Sequence, residues 1–211
     1  MDIAIVLSGH RHGKRAADLM LRPFAESTLL ENAMAKLERL DAPCKKYVAC
    51  ADREIKNLCA GFESLYSVRA SHLLSWPETI DARSFSHLRS LPEQWFLVVN
   101  PAFPFVSSDL WWQVIEDFLV SDPAGIVSAE PQEGPFYSSD GKLIDVDESL
   151  FVRNDAFILF SRSLLEKGSG LSSSQFAPYI LTADVSRSVE DGVDLSAAEA
   201  IDALYRLGVG V

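Results

Sequence analysis

Short apolar runs recur along the chain, and each has the length of a β-strand. The first, Ile3–Leu7, is continuously apolar, and Trp95–Val99 is the strongest of them. Continuous runs of this kind are typical of strands that are buried on both faces, as in a parallel sheet. Further strands are predicted at Tyr47–Cys50, Gly125–Ala129 and Ala156–Phe160, with Ser64–Val68 as a weaker candidate.

Apolar residues with helical spacing lie between these runs. In Thr28–Leu40 they stand three and four residues apart, and Ser27 or Thr28 can cap this helix with Glu31 in its first turn. Alternating strands and helices predict an α/β fold, with one domain over residues 1–211 and a mostly parallel central sheet between helical layers. The other predicted helices are Asp52–Gly61, Ser108–Val120, Arg162–Lys167 and Leu195–Leu207.

The candidate site follows from this fold. In a parallel α/β sheet, ligands bind beyond the carboxyl ends of the strands, near the point where the strand order switches. The segments that directly follow predicted strands are Ser8–Arg15, Ala51-Asp52 and Asn100–Pro104. The last of these is either a rigid rim for a substrate or a structural exit from the strand, and its local sequence favours the exit.

Composition narrows the classes of function. The 19 basic and 30 acidic residues give a net charge of −11, which repels phosphate backbones and argues against general binding of nucleic acid. No apolar run reaches the length of a membrane span, so we expect a cytoplasmic protein without a membrane partner. Cys44, Cys50 and Cys59 match no zinc template, which indicates reduced thiols.

The loop Ser8–Arg15 contains two glycines, two histidines and three basic residues. Glycines let the backbone approach a phosphate, and Lys and Arg side chains neutralise its charge. The loop is not a Walker motif, because no Ser or Thr follows Lys14 and the earlier glycine is missing. We favour phosphate binding over a solvated basic turn. His10 and His12 are a weak metal signal, and ligand contact is the preferred interpretation.

An acidic cluster precedes the last predicted helix. Glu190 and Asp191 could hold magnesium through their carboxylate oxygens. The alternative is favourable charge at a helix N-terminus, which explains Asp194 well and the other two less well.

Taken together, these segments resemble the CMP-sialic acid synthetases (acylneuraminate cytidylyltransferases) and their relatives for Kdo, pseudaminic and legionaminic acids. The family's first strand leads into Pro-Ala-Arg-Gly-Gly-Ser-Lys, and Lys14 falls on the final lysine. Arg69 falls near the arginine that follows the family's third strand. The family's Leu-Gln-Pro-Thr-Ser-Pro resembles Val99–Pro104. The order holds over nearly the whole chain, with further matches at Arg22–Phe24, Thr28–Leu30, Val48–Ala51, Arg153–Ala156 and Asp194–Glu199.

The departures from the family lie on the triphosphate and metal side. They are His10 for the motif arginine, Leu19-Met20 for the Lys-Asn pair that faces the triphosphate, and Ser188 and Glu190 for two metal aspartates. The segment between Ala129 and Leu150 is also shorter than the family's dimerisation arm, although a homodimer stays the candidate assembly. The resemblance therefore implies a retained fold with reduced charge at this side.

The resemblance implies a fold of the nucleotide-diphospho-sugar transferase (Rossmann-like) type and a nucleotidyltransferase activity. A nucleoside triphosphate, here CTP, would react with an acidic sugar or another anionic acceptor and release pyrophosphate, with Mg2+ as the cofactor. The implied residues are Lys14 and Arg11 for catalysis, Ser8, Gly9, His10, Arg11, Gly13 and Lys14 for the nucleotide, Arg69, Asn100 and Asn154 for the acceptor, and Glu190 and Asp191 for the metal.

Two other functions stay open. The replaced residues fit a catalytically degenerate relative that binds a nucleotide or a partner protein. A glycosyltransferase that uses a nucleotide sugar is the third hypothesis, because Asp145-Val146-Asp147 has the form of an Asp-x-Asp metal motif. That motif is short and common, and it lies well after the central strand.

Overall fold

A central sheet of seven strands organises the molecule, whose computed structural model describes residues 2–77, 83–132, 136–137, 143–144, 150–167 and 176–207. The strands are β1 (Ile3–Gly9), β2 (Pro23–Phe24), β3 (Ser27–Thr28), β4 (Lys45–Cys50), β5 (Tyr66–Arg69), β6 (Trp95–Val99), β7 (Gly125–Gln132), β8 (Phe136–Tyr137), β9 (Leu143–Ile144), β10 (Leu150–Ser161) and β11 (Ala177–Ile180). The sheet has the order β11-β7-β10-β6-β1-β4-β5, while β2 pairs with β3 and β8 with β9. Only the pairings of β10 with β6 and β7 are antiparallel in this described sheet. The predicted mostly parallel α/β fold is confirmed.

Five α-helices accompany the described strands. They are α1 (Leu29–Arg39), α2 (Arg53–Cys59), α3 (Ser108–Ser121), α4 (Arg162–Lys167) and α5 (Gly192–Arg206), with 3-10 turns at Leu19–Leu21 and Ser86–Ser90. Thr28 caps α1 as predicted: its Oγ1 accepts from the Glu31 N–H at 3.2 Å, and the Glu31 carboxylate accepts from the Thr28 N–H at 3.0 Å. Asp52 caps α2, and Ser107 caps α3. No described helix is long and apolar enough to cross a membrane.

The side chains of β1 alternate between two hydrophobic layers, and all seven residues of the strand are buried. Ile3, Ile5 and Leu7 pack in the layer that contains α1, α3 and α5. Ala4 and Val6 pack in the other layer, with the Ser86–Ser90 turn and α4. Each fully buried Ile or Leu contributes about 2 kcal/mol of transfer free energy. The two layers therefore hold β1 firmly, and its carboxyl end is a rigid platform.

Two strands of the central sheet differ most from the prediction. Strand β10 begins at Leu150, six residues before the predicted start, because it continues past an irregularity between Arg153 and Ile158 to pair with β7. Strand β11 was not predicted; it is short, lies at the sheet edge and contains Pro178, all of which weaken its sequence signal. The Asp145–Asp147 motif lies outside the described residues.

Candidate functional site

A cleft lies where the strand order switches. From β1 the chain proceeds to β4 and then β5 on one side of the sheet, whereas β6 lies on the other side of β1. The cleft opens at the carboxyl ends of β1 and β6, as expected for this sheet. It has an inner cavity of about 170 Å³ and an outer one of about 650 Å³. The two cavities share the lining residues Lys14, Phe103, Asp155, Ser188 and Glu190.

The loop after β1 forms one wall of the cleft. The backbone N–H groups of Arg11 and His12 both donate to the Leu74 carbonyl, at 3.2 and 3.0 Å. Gly13 has no room for a side chain, because a Cβ would collide with Leu19 and lie 2.9 Å from the Glu190 carbonyl oxygen. The glycine is therefore required by tight packing of the loop.

Leu19 and Met20 lie beneath this loop and are fully buried. The Met20 N–H donates to the Arg11 carbonyl at 3.0 Å, which ties the buried segment to the loop. These are the positions where the resembling family carries its Lys-Asn pair. In this chain they stabilise the loop from below, and they do not contribute charge to the cleft.

His10 lies at the floor of the inner cavity and is 1% exposed. Its Nδ1 lies 2.9 Å from Ser8 Oγ and 3.0 Å from the Ser8 carbonyl oxygen. Because a carbonyl only accepts, the second contact places the proton on Nδ1 and leaves Nε2 as an acceptor. Burial lowers the pKa of His10 to about 4, so the ring is neutral at pH 7. Where the family has a cationic arginine, this chain has a neutral acceptor.

Ser8 and Gly9 lie behind the cavity and do not line it in the described structure. Ser8 orients the His10 ring. Gly9 lets β1 approach β4 closely, since a Cβ there would lie 2.5 Å from the Ala49 carbonyl oxygen. The structure therefore gives both residues supporting positions, in contrast to the nucleotide contact that the sequence implied.

Arg11 points away from the cleft. Its guanidinium lies 2.7 Å from Asp18 Oδ1, 2.7 Å from Asp52 Oδ2 and 2.8 Å from Glu54 Oε2. These contacts, with Asp52 the largest, raise the pKa of Arg11 above its already high ordinary value. Arg11 therefore clamps the loop to the start of α2, and it is not among the residues that line either cavity.

Lys14 does line the cleft, but it faces a carboxylate. Its Nζ lies 3.4 Å from Glu190 Oε1, and Arg15 Nη2 lies 3.3 Å from Glu190 Oε2. The Arg15 N–H also donates to the Glu190 carbonyl at 3.1 Å. Lys14 therefore lies in the cleft as an ion-paired group, and its side chain is 53% exposed.

Asp191 caps α5. Its Oδ1 accepts from the backbone N–H groups of Val193 and Asp194, at 2.9 and 3.1 Å, and these bonds lower the pKa of its carboxyl group. This cap explains why α5 begins at Gly192, three residues before the predicted start. With Glu190 held by Lys14 and Arg15, the two predicted metal ligands do not fit a magnesium site as placed. No group of three or more metal-binding side chains occurs among the described residues.

Asn100 joins β6 to β10 at the cleft. Its Nδ2 donates to the Asp155 carbonyl at 3.2 Å, and its Oδ1 accepts from the Ala102 N–H at 3.0 Å. Asn154 Oδ1 accepts from the Ala156 N–H at 3.3 Å, while its Nδ2 is buried without a hydrogen-bond partner in the described part of the chain. Asn100 lines the inner cavity and Asn154 the outer one, so the structure brings both to the cleft with Lys14.

Asp155 is a residue of the cleft that the sequence analysis did not assign to the site. It has a left-handed backbone (φ 64°), at the position where the resembling family has glycine. Its Oδ1 lies 2.6 Å from Arg153 Nε. Burial raises the pKa of its carboxyl group, and the charges of Arg153 and Lys14 and the Trp76 indole N–H offset part of the rise. Asp tolerates positive φ better than most residues, which is the one local signal in Arg153-Asn154-Asp155.

Arg69 lies elsewhere. It ends β5, two strand positions from β1, and faces a separate cavity of about 430 Å³ at the ends of β4 and β5. We call this cavity the second pocket; it is lined by Cys50, Arg53, Lys56, Ser67, Arg69 and Ser71 among others. The structure therefore separates Arg69 from Asn100 and Asn154.

Comparison with known proteins agrees at the level of the fold. No family model and no curated protein sequence matches the chain. A CMP-2-keto-3-deoxy-manno-octonic acid synthetase complexed with CTP superposes with a TM-score of 0.72 at 8% identity, over 96% of this chain and 99% of the other. The 4-diphosphocytidyl-2C-methyl-D-erythritol synthase of Anaerococcus prevotii superposes with a TM-score of 0.68 at 12% identity, over 95% and 96%.

The chain therefore has the fold of the cytidylyltransferases. This confirms the implied α/β fold, and the likeness extends to the fold alone. The comparisons do not single out the sialic acid synthetases within that fold.

Proposed function

We propose that this chain is a cytidylyltransferase-like enzyme that transfers a nucleotidyl group from CTP to an anionic small molecule, such as an acidic sugar. The observation that carries the proposal is one continuous cleft at the strand switch, lined by Lys14, Asn100, Asn154 and Asp155. Two solved cytidylyltransferases share the fold. An oxygen of the acceptor would attack the α-phosphorus, and the bond to the β-phosphate would break to release pyrophosphate.

The cations of the outer cavity suit the anionic partners. Lys14, Arg153 and Arg187 line it, and Arg187 is exposed to solvent. Lys and Arg groups that face a transferring phosphate stabilise the charge that develops on it. We assign Lys14 to the phosphates and Arg187 to the anionic groups that enter from solvent, while Arg153 positions Asp155 through their ion pair.

Asp155 is the group that would take the proton of the acceptor hydroxyl. It lines both cavities, and its raised pKa makes it a stronger base than an exposed carboxylate. Asn100 fixes the backbone at this position through the Asp155 carbonyl. The inner cavity, with the neutral acceptor of His10, would hold the base or ribose.

The predicted magnesium ion has no fitting donor set in the described residues, because Asp191 is a helix cap and Glu190 is ion-paired. The roles above therefore rest on the side chains of the chain itself. Assays with Mg2+ and with a chelator belong to the test.

The test is pyrophosphate release from CTP with a panel of sugar acids, compared between the wild type and Asp155→Asn. Asn keeps the shape and tolerates the left-handed backbone, so the fold should persist. Loss of the base should lower kcat by about a hundredfold or more. Glu166→Gln, on the other face of the sheet, is the matched control. If Asp155→Asn releases pyrophosphate as fast as the wild type, Asp155 is not the base. If the wild type releases no pyrophosphate from any triphosphate, the proposed transferase activity is wrong.

A second candidate function has its own observation. Arg11 of the loop is held by three carboxylates outside the cleft, and buried apolar residues, Leu19 and Met20, occupy the positions of the Lys-Asn pair. These features suit a relative that binds a nucleotide without turnover. Calorimetry separates the two: CTP binding that is indifferent to Mg2+, together with no pyrophosphate release, supports this version.

A further inference from the structure

The second pocket gathers cations that the proposed reaction does not use. Arg53 and Lys56 stand three residues apart on α2, so they share a face of the helix. Arg69 ends β5 directly opposite Cys50 of β4. The three side chains line one cavity of about 430 Å³. Two neighbouring strand ends and a helix therefore bring three positive charges to one place.

These cations have no partners in the described ranges of the chain. None of the three makes an ion pair or a side-chain hydrogen bond there. The one carboxylate that lines the pocket is Asp52, and it is already engaged by Arg11 at 2.7 Å and by the Ile55 N–H at 3.1 Å. The pocket consequently keeps a local positive charge on a chain whose net charge is −11.

That arrangement costs stability in the absence of a ligand. Like charges on one helix face, three or four residues apart, repel each other. The chain has 30 acidic residues that could neutralise these cations, yet Asp52 is the one carboxylate in the described lining of the pocket. Two hydroxyl side chains, Ser67 and Ser71, also line the pocket and make no hydrogen bond among the described residues. Guanidinium forks with nearby hydroxyl donors match the oxygens of a phosphate group.

We propose that the second pocket is a binding site for a small phosphate-bearing polyanion, distinct from the cleft. Arg53 and Arg69 bind the phosphate oxygens with their planar forks, and Lys56 adds a point charge. Ser67 and Ser71 donate at the rim. The site is independent of the proposed transfer reaction, because it shares no lining residue with either cavity of the cleft.

The probe is inorganic pyrophosphate, titrated into the full chain and followed by backbone amide NMR shifts. Binding at the second pocket should shift the amides of Ser67, Arg69 and Ser71 as one saturable set. Pyrophosphate that enters the cleft would instead shift the amides of His12–Lys14, with its own midpoint. The two sites are thereby read separately in one titration.

Variants test the assignment. Arg53→Gln and Arg69→Gln should each raise the dissociation constant at the second pocket by about tenfold, since each removes a charge-assisted contact. Added salt should weaken binding further. Arg39→Gln removes an equally exposed arginine at the end of α1 and should change nothing. All three side chains are exposed, so the fold is expected to persist.

Two results would overturn the proposal. One is the absence of saturable shifts at Ser67–Ser71 in the wild type. The other is a double variant, Arg53→Gln with Arg69→Gln, that binds pyrophosphate at this set as tightly as the wild type. Neither result bears on pyrophosphate release from CTP, so failure here and failure of the proposed enzyme are distinguishable.

Discussion

The loop after β1 and the second pocket both present cations at the carboxyl edge of the sheet, but their charges are handled differently. In the loop, Arg11, Lys14 and Arg15 all face carboxylates at 2.7 to 3.4 Å. In the second pocket, Arg53, Lys56 and Arg69 face none among the described residues. The sequence motif marked the loop as the anion site, yet in the described part of the chain a cluster of three cations without carboxylate partners lies at the ends of β4 and β5. The availability of a cation depends on the partners that the fold brings to it.

Acid should lower the stability of the fold through two buried histidines, one of which lies in the cleft. The second pocket has no histidine among the described residues of its lining. His10 at the cleft floor and His87 in the layer behind it are buried, and burial lowers the pKa of each to about 4. In the unfolded chain both would titrate near 6.5, so the unfolded state takes up protons first as the pH falls. Stability is therefore full above about pH 6.5 and is lost towards pH 4. Between pH 7 and pH 5 the loss should be roughly 2 kcal/mol for each histidine.

Urea unfolding at the two pH values measures this loss, and His87→Phe apportions it. Both ring nitrogens of His87 are buried without a partner in the described structure, so the variant should be at least as stable at pH 7. It should also lose about half as much on acidification. Equal acid losses in wild type and His87→Phe would contradict the assignment.

Substituting one arginine from each region should change the free energy of unfolding by different amounts. Arg11→Gln removes the anchor of three carboxylates and leaves Asp18, Asp52 and Glu54 to repel one another. Loss of the partly buried Arg11–Asp52 ion pair alone should lower the free energy of unfolding by about 1 kcal/mol. Arg69→Gln removes a cation that has no partner among the described residues, and it should leave the free energy of unfolding within about 0.5 kcal/mol of the wild type or raise it slightly.

Denaturant melts at low salt would show the difference, and added salt should shrink it because the exposed pairs are screened. Arg11→Lys keeps the charge but loses the planar fork, so an intermediate loss is expected. If Arg69→Gln destabilised the chain as much as Arg11→Gln, the second pocket would have to contain a partner for Arg69.

The position of the cleft could be predicted from the sequence, whereas the roles of its charged residues could not. Buried runs at β1 and β6 are enough to place Lys14 and Asn100 at one edge of a parallel sheet. The apolar runs do not reveal the order of the strands in the sheet. Because β5 lies two positions from β1, about 10 Å away, Arg69 belongs to another pocket.

The sequence also does not reveal which side chains will form ion pairs and hydrogen bonds with each other. Arg11 meets Asp52 and Glu54 from more than forty positions away. Asp191 could be a metal ligand or a helix cap by residue type, and only the start of α5 at Gly192 decides for the cap. Asp155 enters the cleft through an irregular stretch of the antiparallel strand β10, which no hydrophobic pattern indicates.

The smallest expected effect comes from removing the carboxylate partner of a cation in the cleft, so that this cation resembles those of the second pocket. Glu190→Gln removes the carboxylate that faces Lys14 at 3.4 Å and Arg15 at 3.3 Å. Lys14, which lines the cleft, then becomes available to an anion, so the affinity for CTP measured by calorimetry should rise about two- to fivefold, the range expected for loss of a solvent-exposed ion pair. The gain should fade as salt is added, and Glu166→Gln on α4 should leave the affinity unchanged. A lower affinity in Glu190→Gln, restricted to titrations with Mg2+, would instead show that Glu190 leaves its ion pairs to hold the metal, and the cleft would then acquire its free cations only when the ligand arrives.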